Sequence, residues 1–126
     1  LALWPMIIAE VEIEAANLFR LGSNTDVARS RNVRRVIDDM KQRHEFGVAK
    51  YGVPLVAKNG RDHLSDAYQE FLDAIVYLRA EIEKCGGMPT DPHEDDFRFR
   101  SIVRMYSQTI ETTIALRVFL AERDGR

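Results

Sequence analysis

Apolar side chains recur along this chain at intervals of three and four residues, with no sustained alternation at intervals of two. The first spacing lines one side of an α-helix, and the second would line one face of a strand. Four helices are predicted on this pattern. Pro5 suits a first helical turn, and Met6 to Arg20 is mostly helix formers before Gly22 stops it. Ser23, Asn24, Thr25 and Asp26 are turn-like and supply N-caps. The second helix is expected from about Arg31 to Lys50, with Val33, Val36, Ile37 and Met40 on its apolar side. Gly52, Pro54, Asn59 and Gly60 mark a loop. The third helix starts near Asp62 and reaches Lys84, its apolar face being Leu64, Tyr68, Phe71, Ile75, Leu78 and Ile82; Gly86 and Gly87 end it, with Pro89 and Pro92 beyond. The fourth runs from about Glu94 to Glu122, with Ile102, Met105, Ile110, Ile114, Val118 and Leu120 as its apolar members. The fold class is therefore all-α, a helical bundle of about four helices. The fourth helix is long for so small a domain and is expected to extend into an interface with another copy.

Composition narrows the picture without redirecting it. A length of 126 residues suits one core, and 45% hydrophobic with 30% charged residues is globular rather than disordered. A net charge of −2 gives no overall electrostatic reason to bind nucleic acid or an acidic membrane. Cys85 has no partner for an intrachain disulfide, which fits a reducing compartment such as a cytosol. The apolar run near Leu1 to Ala9 is broken by Pro5 and followed by Glu10, Glu12 and Glu14; it is too short for a membrane span and lacks the basic start of a signal peptide. The chain opens on leucine, which reads as a trimmed start.

Candidate chemistry gathers on the third helix. Asp62, Asp66, Glu70 and Asp73 are four, four and three residues apart, which places them on one side, and Tyr77 continues the line. Like charges at that spacing repel, and no Lys or Arg lies between Asp62 and Leu78 to relieve them. Ala67 and Ala74 flank the stripe and would let another helix approach. Hard cations such as Mg²⁺ or Mn²⁺ take oxygen ligands of this kind; an acidic solvent face is the competing explanation. On the second helix Asp38, Gln42 and Glu45 repeat the spacing of Asp66, Glu70 and Asp73, and the two lines would face one another if the helices packed antiparallel.

Glu45 followed, after 24 intervening residues, by Glu70-x-x-Asp73 resembles the all-α nucleoside triphosphate pyrophosphohydrolases of the MazG and HisE group. The stretch from His44 to Glu83, with Lys50-Tyr51-Gly52, Asn59-Gly60-Arg61-Asp62 and Asp66 to Asp73, is most similar to MazG-like proteins of phages, among them dATP/dGTP diphosphohydrolases of the MazZ type. The resemblance covers roughly a third of the chain. It departs at Gln42, where the family's Glu-x-x-Glu pair has a carboxylate, so Gln42 or Asp38 substitutes or fewer metals bind. The resemblance implies one MazG-like domain over residues 1–126 and hydrolysis of a nucleoside triphosphate, dGTP first or dATP, to the monophosphate and pyrophosphate. Glu45, Glu70 and Asp73, with Asp66, would hold Mg²⁺ or Mn²⁺; Glu45 is nominated to take the attacking water's proton. It further implies a homo-oligomer, dimer or tetramer, in a cytoplasm, the host's if the chain is phage-encoded, with neither nucleic acid nor membrane as partner.

A triphosphate needs basic groups as well as metal. Lys50, Lys58 and Arg61 are closest in sequence, and Arg61 precedes a helix start whose free amides attract anions. Tyr51 offers a stacking face; Asn59 and Tyr77 complete the candidate substrate contacts. Arg29, Arg31, Arg34 and Arg35 form a basic cluster, but Asp38, Asp39 and Glu45 follow at once, which weighs against a helix-turn-helix DNA binder. His44, His63 and His93 lack metal-ligand spacing, Cys85 and Ser65 lack an activating base nearby, and no Glu-x-x-His pair suggests a di-iron bundle. The alternative from another class is a non-catalytic helical interaction module with the stripe as a partner surface.

Overall fold

The computed structural model describes residues 2–20, 27–89 and 97–126. Four α-helices lie among them: α1 (Leu3–Arg20), α2 (Val27–Tyr51), α3 (His63–Lys84) and α4 (Phe97–Asp124). No strand occurs among the described residues, only an isolated antiparallel bridge between Ala2 and Val56. The fold is all-α. The expected breaks at Gly22 and Ser23 to Asp26, the start at Glu94 and Pro92 lie outside the described residues. No helix among the described residues is long and apolar enough to cross a membrane. The chain divides into two compact units, Leu1–Arg61 and Asp62–Arg126.

The first unit is a hairpin of α1 and α2. Trp4, Ile8, Val11 and Ala15 share one side of α1, and Ile8 and Ala15 are buried. On α2 the sheltered line is Val33, Ile37, Met40, His44 and Gly47, alternating steps of four and three as two packed helices require. Val36, expected on that side, is 46% exposed because it falls about a sixth of a turn off the line. Gly52 closes α2 in a left-handed conformation (φ 77°), its N–H donating to the Val48 carbonyl at 2.8 Å. At the same end of the hairpin the Leu3 N–H, an amide with no partner inside its own helix, donates to the Leu55 carbonyl at 2.8 Å. The start of α1 is thereby tied to the loop that follows α2.

The second unit is a hairpin of α3 and α4. All six residues expected on the apolar side of α3 are sheltered, and Ile82 is fully buried. Asp62 is the N-cap, accepting from the Ser65 N–H at 3.2 Å. At the far end the Gly87 N–H donates to the Ile82 carbonyl (3.0 Å) and the Gly86 N–H to the Glu83 carbonyl (3.1 Å), the paired bonds of a Schellman ending. The inner line of α4 differs from expectation. It runs Phe99, Ile102, Tyr106, Thr109, Thr113, Leu116 and Leu120, while Met105, Ile114 and Val118 are exposed. Two threonines take inner places because each hydroxyl bonds its own helix, Thr109 Oγ1 to the Met105 carbonyl (2.7 Å) and Thr113 Oγ1 to the Thr109 carbonyl (2.6 Å).

Ile82→Ala is expected to destabilise the chain by about 2–5 kcal/mol, the usual range for emptying a filled core site. Val76→Ala, at a position 63% exposed, should stay within about 0.5 kcal/mol. Urea unfolding of both variants checks the contrast.

Candidate functional site

The C-terminal half of α2 turns Arg43, Phe46, Gly47 and Lys50 to one side, at i, i+3, i+4 and i+7. Together with Trp4 of α1 and the loop from Tyr51 to Arg61, they line a cavity of about 640 Å³ within the first unit. That volume lies in the range of roughly 300–1,000 Å³ usual for small-molecule sites. Three cations (Arg43, Lys50 and Arg61) and three aromatic rings (Trp4, Phe46 and Tyr51) contribute to the lining, and no carboxylate does. The Lys50 ammonium stands 5.9 Å from the Phe46 ring centre and 5.3 Å from that of Tyr51, within reach of cation–π attraction. The apolar wall is Val53 to Val56, which the Leu3–Leu55 bond anchors to α1. Asn59 Oδ1 accepts from the Arg61 N–H at 3.1 Å across Gly60, whose φ of 82° lets the loop turn there.

Gly47 is unusual within this wall. A glycine inside a helix costs about 0.5–1 kcal/mol relative to alanine. A Cβ built on Gly47 would meet nothing within 4 Å, so no neighbouring protein atom demands its smallness.

No acidic residue lines this cavity. On α3 Asp66 is half-buried, while Glu70 and Asp73 are exposed one turn apart, and neither has a basic partner among the described residues. Tyr77 is 71% exposed on the same line. On α2 Asp38, Gln42 and Glu45 are exposed along a different side of the helix from the cavity residues. Glu45 belongs to the first unit, and Asp66, Glu70 and Asp73 to the second. Among the described residues no three His, Cys, Asp or Glu side chains gather as a metal cage. Mg²⁺ does not need one, since it keeps several waters and is usually held by one or two carboxylates with substrate phosphates. Glu70 and Asp73 fit that donor set.

No protein-family model, curated protein or solved structure matches this chain.

Of the residues chosen for substrate contact, Lys50, Tyr51, Asn59 and Arg61 meet at the cavity, whereas Lys58 and Tyr77 do not line it. Trp4, Arg43 and Phe46 also line it and were not among the residues expected to contact substrate. The spacing of Arg43, Phe46, Gly47 and Lys50 carried a usable signal, a basic and aromatic helical face. Trp4 carried none, because only the closure of the hairpin brings it there.

The stripe's first member is differently employed. Asp62 accepts from both terminal nitrogens of Arg123, each at 2.9 Å, and from the Ser65 hydroxyl at 2.9 Å. Arg123 therefore supplies Asp62 with a counter-charge from 61 residues away. Asp62 is a cap and a clasp between α3 and α4, and the stripe left for chemistry is Asp66, Glu70 and Asp73. The Arg123 guanidinium, then the Ser65 hydrogen bonds, hold the Asp62 carboxyl well below the ordinary aspartate range. Arg123 likewise draws Asp124 down, through a bond of 2.8 Å from its Nε.

A carboxyl depressed in the folded state stabilises fully above its unfolded pKa and loses that contribution as pH falls toward the folded value. Stability should therefore decline on the acid side of the ordinary aspartate range, and Asp62→Asn should both lower the melting temperature at neutral pH and flatten that decline. Thermal unfolding across the acid range measures this. An unchanged acid slope in the variant would show that Asp62 does not set it.

Proposed function

We propose that the chain is a metal-dependent nucleoside triphosphate diphosphohydrolase that converts a deoxynucleoside triphosphate, dGTP first or dATP, to the monophosphate and pyrophosphate. The observation that carries this reading is the cavity, where Lys50, Tyr51, Asn59 and Arg61 meet among cations and rings with no carboxylate in the lining. That lining suits a ligand with a flat, largely apolar end and a strongly anionic one. The MazG-like pattern of Glu45 with Glu70-x-x-Asp73 supports the same reaction class.

Mg²⁺ or Mn²⁺ bound there would supply neutralisation of the phosphate charge and activation of the attacking water. On α3 Glu70 and Asp73 would hold the cation, with Asp66 on the same side of the helix. Lys50 and Arg61 receive the phosphate oxygens and orient the chain of phosphates for in-line attack. The MazG-like pattern nominates Glu45 to accept the proton of the water whose oxygen would bond to the α-phosphorus, as the bridge to the β-phosphate breaks and pyrophosphate leaves with the bridging electrons. In this proposal residues 1–126 act as one MazG-like domain in a cytoplasm, the host's if the chain is phage-encoded, with neither nucleic acid nor membrane as partner.

Ile114, Val118 and Phe119, each more than half exposed on α4, support the proposal of a dimer or tetramer. The same surface would serve a non-catalytic interaction module, and activity separates the two.

Glu70→Gln and Asp73→Asn should each lower kcat by at least about a hundredfold while leaving the far-ultraviolet dichroism unchanged. Retained turnover in both variants overturns the assignment of these ligands. Mg²⁺ or Mn²⁺ should raise the melting temperature of the parent chain and not of the variants. Light scattering should give a multiple of the 14.5 kDa chain mass; a monomeric mass refutes the oligomer.

A further inference from the structure

The rings and the open glycine of the cavity have a use beyond phosphate binding. We infer that the cavity seats the base of a purine nucleotide, with Trp4 as the stacking residue and Arg43 as a phosphate contact beside Lys50 and Arg61. The inference rests on the pyrophosphohydrolase proposal and adds to it the residue that holds the base. Trp4 and Phe46 come from different helices and line one space, together with the apolar wall from Val53 to Val56, which the Leu3–Leu55 bond ties to the start of α1. An indole offers the largest stacking surface of any side chain, and a two-ring base covers more of it than a one-ring base. Gly47 leaves unfilled the volume that a planar ring needs to lie close to the backbone of α2. Every charged side chain in the lining is cationic, so the anionic end of the ligand is drawn to the same space.

Trp4 is the chain's single tryptophan, so its emission reports on this cavity alone. The experiment titrates the full chain in EDTA, where no metal supports turnover, with dGTP, dCTP and inorganic triphosphate. Trp4 emission is followed in each titration, and dGTP affinity is measured independently by equilibrium dialysis. Saturable quenching by dGTP, weaker quenching by dCTP and none by inorganic triphosphate is the expected pattern. Trp4→Leu should weaken dGTP about tenfold, and Trp4→Phe should restore most of it. Gly47→Ala should raise the melting temperature yet weaken dGTP, a pair of effects that a misfolded variant cannot produce. Binding of dGTP with unchanged Trp4 emission, equal affinity in Trp4→Leu, or no binding at all overturns the assignment. Turnover of dGTP with silent emission removes the base seat and leaves the reaction standing. Base-dependent quenching in a chain that hydrolyses no nucleotide keeps the seat and removes the reaction.

Discussion

The backbone hydrogen bond from the Leu3 amide to the Leu55 carbonyl is the constraint on which the candidate site depends. A two-helix hairpin buries one stripe from each partner and leaves its open end without a fixed geometry. Here the first amide of α1, which no residue of its own helix can satisfy, finds its acceptor in the loop beyond α2. That one bond holds the apolar loop against Trp4 and turns the end of a hairpin into a walled cavity. In the second unit the equivalent task falls to a charge pair. Asp62 caps α3 and receives Arg123 from the last turn of α4, so one carboxylate both starts a helix and joins two.

Much of this was legible in the chain. The stripe of α3 from Leu64 to Ile82 is packed as its spacing predicts, because consistent steps of four and three admit one inward side only. The glycines after α2 and α3 end those helices in left-handed conformations that other residues adopt at a cost. The inner line of α4 was legible only in part, at Ile102, Ile110 and Leu120. Apolar residues lie all round that helix, and its threonines look polar in sequence yet spend their hydroxyls on their own carbonyls. Which side then faces α3 is settled by contact, which no single-helix pattern contains.

The candidate site divides in the same way. Lys50, Tyr51, Asn59 and Arg61 are close in sequence and meet at the cavity for that reason; Trp4 is distant and arrives only through the hairpin. Asp62, the first member of the acidic stripe, looked uncompensated because its partner sits on another helix, at Arg123. With Asp62 withdrawn into capping, Asp66, Glu70 and Asp73 remain on α3. Cationic and aromatic groups thus gather in the first unit and exposed carboxylates on the third helix.

The most direct test of the proposed reaction is the identity of its products. The full chain would be incubated with dGTP and Mg²⁺, and the phosphorus-containing products resolved by phosphorus NMR. Cleavage between the α- and β-phosphates gives dGMP and pyrophosphate, which is the result expected. Release of dGDP and orthophosphate, or no turnover of dGTP or any other nucleoside triphosphate with either Mg²⁺ or Mn²⁺, would contradict it.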